Sequence, residues 1–173
     1  NDVSTAGCNN TETIERTWTS TDECGNSTSC GQVITVVDTT APSINCPADA
    51  VLDCPADTSV AANGKASGSD SCSSVSISSI DSTVGGCATT EMITRTWTVT
   101  DECGNSTSCD QVIAVVDTTV PSIECPEDAT VECGEATDQE ALGTASGSDS
   151  CSSVSISSVS AFVEDCGNTG VIT

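Results

Sequence analysis

Thirteen cysteines are the residues of this chain whose type and spacing promise chemistry. At such density, cysteines form either disulfides in an oxidising compartment or a thiolate metal centre. Close Cys-x-x-Cys pairs would favour a metal, and the sequence has none. Disulfides are therefore expected, in a protein that is extracellular or displayed at a cell surface. Carboxylates are the second reactive class. The chain has 26 Asp and Glu against three basic residues, Arg16, Lys65 and Arg95, for a formal net charge of −23. With no histidine, a His-based triad and a His-ligated metal are excluded. Three cations give no basic footprint for nucleic acid. No serine stands in Gly-x-Ser-x-Gly. Neighbouring carboxylates such as Asp101-Glu102 lie in turn contexts, without the cleft that a two-carboxylate glycosidase needs. No enzyme is expected. No run approaches the roughly 18 apolar residues of a membrane span, so no membrane insertion is expected either.

The cysteines recur with a fixed period. Cys8, Cys87 and Cys166 are evenly spaced, and the same offset relates Cys24 to Cys103, Cys30 to Cys109, Cys46 to Cys125, Cys54 to Cys133 and Cys72 to Cys151. The segment 22–30 returns unchanged at 101–109, and 66–79 returns at 145–158. A period this long marks a tandem repeat. The joints fall at Asp38-Thr39-Thr40-Ala41-Pro42 and Asp117-Thr118-Thr119-Val120-Pro121, where a β-branched run ends and proline stops the ladder. Residues 41–119 then form one complete repeat, residues 1–40 the C-terminal half of a preceding one, and residues 120–173 the N-terminal part of a following one.

The elements that must position the cysteines read as strands. In Ile93-Thr94-Arg95-Thr96-Trp97-Thr98-Val99-Thr100, apolar and hydroxyl residues alternate with the period of two of a half-buried strand. Asp-Glu-Cys-Gly-Asn between two such runs reads as a hairpin loop. No segment has helical periodicity. Only three aromatics are present, Trp18, Trp97 and Phe162, so each small unit needs covalent staples beside its core. The expected fold is all-β: tandem immunoglobulin-like antiparallel β-sandwiches, stapled by disulfides, with a 79-residue repeat.

The string from Arg95-Thr-Trp-Thr-Val-Thr-Asp-Glu-Cys-Gly-Asn through Cys109 and Val115-Val-Asp-Thr-Thr to Pro121-Ser-Ile and Cys125-Pro resembles the hyalin-type repeat, an immunoglobulin-like module. It is also similar to the cysteine-rich tandem repeats of bacterial surface adhesins and of algal mastigoneme-type fibre proteins. The resemblance covers essentially the whole chain and implies an extracellular, repeated structural or adhesive protein. The chain departs from the simplest family pattern in carrying six cysteines per repeat instead of two.

Six cysteines allow 15 pairings, and sequence alone does not choose among them. In a sandwich with termini at opposite ends, the first and last strands bring Cys46 near Cys109. Two loops at one end suggest Cys72 with Cys103, which leaves Cys54 with Cys87. The incomplete ends then suggest bridges between copies, Cys125 with Cys30 and Cys151 with Cys24. The expected partner is the protein itself, joined head-to-tail either as separate subunits or as one longer polypeptide. Separate subunits meet one conflict, because residues 1–15 and 159–173 share a phase of the repeat.

Acidic residues cluster at the joints: Asp38 with Asp70 and Asp101, then Asp117 with Asp149. Converging oxygen ligands suit Ca²⁺, and solvated turn formation by aspartate is the plainer reading. Asn9, Asn26 and Asn105 stand in N-glycosylation sequons, and Thr94, Thr96 and Thr98 form an outward hydroxyl stripe that offers O-glycan sites. No other cofactor is expected. The leading functional expectation is a segment of a glycosylated extracellular fibre. The alternative is an adhesin repeat that binds a partner or glycan through its variable loops, at 55–65 against 134–144 and at 80–92 against 159–171.

Overall fold

Strands take up 47% of the chain and helix 5%, so the fold is all-β as expected. The computed structural model describes residues 2–132, 134–164 and 170–172, with 162–164 and 170–172 by backbone alone. In chain order the elements are β1 (Asp2–Ala6), β2 (Glu12–Thr21), β3 (Ser27–Val36), β4 (Ser43–Asn45), β5 (Ala50–Asp53), α1 (Val60–Asn63), β6 (Ser67–Ser69), β7 (Val75–Gly85), β8 (Glu91–Asp101), β9 (Ser106–Val116), β10 (Ser122–Glu124), α2 (Gln139–Leu142), β11 (Ser146–Ser148), β12 (Phe162–Glu164) and β13 (Gly170–Ile172). None of the described helices is long and apolar enough to cross a membrane. Two compact units result. One comprises residues 1–50, 57–84 and 92–114, the other 51–56, 85–91 and 115–173.

In the first unit, β1, β2 and β3 form an antiparallel meander, with Asp2 opposite Arg16 and Trp18 opposite Cys30. The β2–β3 hairpin closes because the Asp22 carboxylate accepts the backbone N–H groups of Cys24 and Asn26 at 2.9 and 2.8 Å. Gly25 supplies the φ of 88° that the turn requires. Identical residues give the same hairpin again in β8–β9, with Asp101 accepting from Cys103 and Asn105 and Gly104 at φ 92°. Those two strands lie in a four-stranded sheet of order β5-β9-β8-β7.

Alternation along β8 and β9 builds the core. Ile93, Arg95, Trp97, Val99 and Asp101 are buried on β8, and Gln111 and Ile113 on β9. The β4–β6 ribbon closes on that face. A Cβ on Gly68 would stand 2.6 Å from the Ser43 carbonyl oxygen and 2.9 Å from the Val99 methyls, so only glycine fits. The buried polar side chains of this core are tied in by hydrogen bonds, although Arg95 Nη1 has no partner among the described residues. Gln111 Nε2 donates to the carbonyls of Ala48 and Asn63 at 2.9 and 2.8 Å, and Trp97 Nε1 reaches Gln111 Oε1 at 3.4 Å. Arg95 forks onto Asp81 at 2.7 and 2.8 Å and donates to the Thr58 carbonyl at 2.9 Å.

The two hairpins differ in cover, not in geometry. Trp18 donates to Gln32 at 3.1 Å much as Trp97 does to Gln111. The Thr19–Ser29 hydroxyl contact of 2.8 Å matches that of Thr98 with Ser108 at 2.9 Å. Yet Trp18 is 55% exposed and Trp97 is 2% exposed.

In the second unit, β10 pairs with β11 and β12 with β13, both antiparallel. Its described core is small: Cys54, Val115 and Cys151, with Ala56 packed against them. Helices were not expected. α1 and α2 are single turns, N-capped by Ser59 onto the Ala62 N–H and by Asp138 onto the Ala141 N–H. Four residues are too few to display a helical period in the sequence.

Candidate functional site

Three disulfides connect the described residues: Cys46–Cys109, Cys8–Cys103 and Cys54–Cys151, with Cα separations of 6.2, 5.3 and 5.6 Å. Cys46 meets Cys109, the pair that the strand order suggested. Two suggested pairs are corrected. Cys103 is bonded to Cys8 instead of Cys72, and Cys54 to Cys151 instead of Cys87. Cys151 is thereby also unavailable to Cys24. The reason is local: the loop after β1 lies against the β8–β9 hairpin loop, and the loop that holds Cys151 lies against the segment after β5. Such bridges belong to an oxidising, extracellular-type environment. Cys24, Cys30, Cys87 and Cys125 are free and exposed, and Cys72 is free and half-buried.

At the first joint, all in the first unit, the loop after β1 carries Cys8. Asn9 and Asn10 both donate to the Cys72 carbonyl, at 2.6 and 2.7 Å. The hairpin loop that holds Cys103 is organised by Asp101 and tied to the linker by Asn105, whose Nδ2 donates to the Asp38 carbonyl at 3.2 Å. Burial works to raise the Asp101 pKa. The Asn105 side chain and the N–H groups of Asn105, Cys103 and Gly104 outweigh it and hold the carboxyl below the usual 3.8. Around this loop an open cleft of about 410 Å³ is lined by Gly7, Thr11, Glu12, Val36 and Asp38, among others.

The second joint, in the second unit, follows the same plan one repeat later. Thr89 Oγ1 donates to the Cys151 carbonyl at 2.8 Å, in the place of Asn10 and Cys72. Asp53 accepts the Thr118 N–H at 3.0 Å and stays below 3.8 chiefly through that bond. Asp149 accepts the N–H groups of Cys151 and Ser152 at 2.7 and 2.9 Å, and the Cys151 bond is the main cause of its lowered pKa.

The acidic residues expected around a cation separate into two kinds. Asp101 spends both oxygens on its own hairpin loop. Asp38 and Asp70 do converge, with Cys72, to within 4.8 Å. Asp117 lies equally close to Cys54 and Cys151, but those sulfurs are spent in a disulfide. Ser152 bridges Asp117 and Asp149 at 3.5 and 3.1 Å.

The sequon amides also have structural partners. Asn9 donates to Cys72, Asn26 to Asp22 at 2.8 Å, and Asn105 to both Asp38 and Asp101. Thr96 and Thr98 face away from the core, bonded across strands to Asp110 and Ser108, and Thr94 is half-buried on the same face. Sequence reasoning missed Cys8 as a partner of Cys103 and Asp53 as an organiser of the second joint. The shared phase of Cys8 and Cys87 was the available signal, and it does not reveal which repeat supplies the mate. No family model matches the chain, and no curated protein matches it.

Proposed function

We propose that the chain is a structural segment of an extracellular fibre built head-to-tail from disulfide-linked, immunoglobulin-like repeats. In this reading residues 1–40, 41–119 and 120–173 belong to three successive repeats. One observation carries it: two of the three bridges tie residues of different repeats. Cys8–Cys103 links residues 1–40 to the complete repeat, and Cys54–Cys151 links that repeat to residues 120–173. Repeats that serve as independent binding beads on a flexible string have no need of such bonds, whereas a fibre has. The resemblance to hyalin-type repeats and the charge of −23, which keeps a repetitive β protein from sticking to itself, agree with this reading.

Residue-resolution imaging of native material tests it. The expected result is a filament in which one domain follows the next at every joint, with glycan density beyond Asn26 or the threonine stripe. Dispersed single particles with bare side chains would overturn it in favour of an adhesin repeat.

A further inference from the structure

We propose that each joint binds a hard divalent cation, Ca²⁺, through oxygens of the chain itself. Asp38, Asp70 and Ser73 supply them at the first joint, and their counterparts Asp117, Asp149 and Ser152 supply them at the second. Such sites stand apart from the fibre reading, because each lies wholly within one unit.

Four buried side-chain atoms lack a hydrogen-bond partner among the described residues: Asp38 Oδ2, Ser73 Oγ, Asp149 Oδ2 and Arg95 Nη1. Three of the four stand at the joints, and all three are oxygens. A polar atom shut away from water without a partner is costly, and here the cost recurs one repeat later. A carboxylate oxygen only accepts, so what completes Asp38 and Asp149 is a donor or a cation. No basic side chain does so. The ion pairs among the described residues are Asp2 with Arg16 and Asp81 with Arg95.

The geometry gathers negative charge around these atoms. The Asp38 carboxylate is buried and converges with that of Asp70 to within 4.8 Å. Two like charges this close repel each other unless a positive charge lies between them. Local bonds aim both groups. The Thr40 N–H holds Asp38 Oδ1 at 3.1 Å, and the N–H groups of Cys72 and Ser73 hold Asp70 Oδ1 at 2.7 and 3.1 Å. The second oxygen of each is left for a ligand. At the second joint the Thr119 N–H holds Asp117 Oδ1 at 3.1 Å. The N–H groups of Cys151 and Ser152 hold Asp149 Oδ1, and Ser152 Oγ spans the two carboxylates.

Donor type selects the cation. Cys72 Sγ also reaches the first pair, but Cys151, at the same position, is bonded to Cys54. The donors common to both joints are therefore oxygens, which suit Ca²⁺ and not a thiolate-seeking metal. Ca²⁺ bonds of about 2.3–2.6 Å span oxygens roughly 5 Å apart, whereas Mg²⁺, with bonds of about 2.1 Å and a strict octahedron, fits fixed turns less well. Asp101 is not a ligand, since its oxygens are bonded within its own hairpin loop. Two carboxylates and a hydroxyl leave water to complete the shell. The affinity then falls in the range of extracellular modules, with Kd about 10⁻⁴–10⁻³ M.

The test titrates the chelator-treated chain with CaCl₂ by calorimetry. Ionic strength is kept near 0.15 M, where the Debye length is about 8 Å and diffuse counterion binding is screened. The expected result is two bound Ca²⁺ per chain. Asp38→Asn and Asp149→Asn, which keep the shape of the side chain, each remove one, and together they remove both. Glu23→Gln makes the same change of charge on an exposed loop and keeps both. MnCl₂, as a paramagnetic probe of the unaltered chain, should first broaden the amide signals of Thr40, Ser73, Thr119 and Ser152. Mg²⁺ should compete at least tenfold less well than Ca²⁺. No saturable binding up to about 10 mM Ca²⁺, tenfold above the weak end of the expected range, would overturn the proposal and leave the fibre reading as it is. Binding that survives the double substitution, broadening spread over the acidic surface, or equal competition by Mg²⁺ would overturn it as well.

Discussion

Asp101 and Asp22 hold the same position in two copies of one hairpin loop, and each caps it with the same bonds. Asp101 also anchors a loop that is bonded covalently to Cys8 and, through Asn105, to the linker. Asp101→Ala is therefore expected to lower the melting temperature more than Asp22→Ala, as calorimetry would show; equal shifts would mean that the cap acts only within its hairpin. Gln111 and Gln32 make a sharper pair. Gln111 is fully buried and donates to two carbonyls, so Gln111→Ala should cost about 2–3 kcal/mol in a denaturant titration through the orphaned acceptors. Gln32→Ala should cost almost nothing in the dispersed chain. The lowered carboxylates fix a pH response. The guanidinium of Arg95 holds Asp81 below 3.8, and backbone N–H groups do the same for Asp149 and Asp53. Folding favours their ionised forms, so their contribution is complete above 3.8 and is lost as pH falls through the lower folded values. Melting temperatures should hold steady down to about pH 5 and drop below pH 4, with a shallower drop in Asp81→Asn. A midpoint that climbs steadily on acidification would contradict this.

At the scale of the element, the bridge from β9 to the segment after β4 is the staple of one repeat. Cys46–Cys109 spans 63 residues, and closing a loop of that size stabilises by about 4 kcal/mol in the chain-entropy account. The Cys46→Ser, Cys109→Ser chain should unfold at correspondingly lower denaturant, as fluorescence of the buried Trp97 would report. Much of this was legible in the sequence. The alternation in 93–100 announces a strand with Trp97 inside, and Asp-Glu-Cys-Gly-Asn announces its hairpin, because a period of two and a glycine turn are local properties. Cys46–Cys109 follows from strand order. The joint bridges do not, because which loop crosses a boundary depends on how loops fold back, and the cysteine period is identical whether the mate of Cys54 lies in its own repeat or the next. Trp18 shows the same limit. Its sequence context copies that of Trp97, and only the presence or absence of a covering segment separates them. The single-turn helices escaped notice because a serine or aspartate cap followed by four residues resembles any turn.

For the molecule as a whole, charge and covalent topology act at longer range. A chain of net charge −23 repels its copies, so association should strengthen with added salt and near pH 4, as light scattering would show. Salt independence would argue that the acidic faces of associating copies stay apart. The joint bridges have a further consequence under load. Cys8 and Cys103 are 95 residues apart, which exceeds the period of 79 by 16. In a fibre that repeats this bond, a pull along the axis follows the sulfurs: forward across one bridge, then back along that short overlap to the next. At about 3.5 Å per extended residue, each repeat can yield only about 55 Å before a covalent bond must break, against about 270 Å for an unbridged repeat. Thermal or forced unfolding of any one domain would then release almost no slack. A stretched oxidised filament should show none of the long rupture steps of unfolding domains, and those steps should emerge once reductant is added. The bridges would make the fibre inextensible while leaving each small domain only as stable as its sparse core allows.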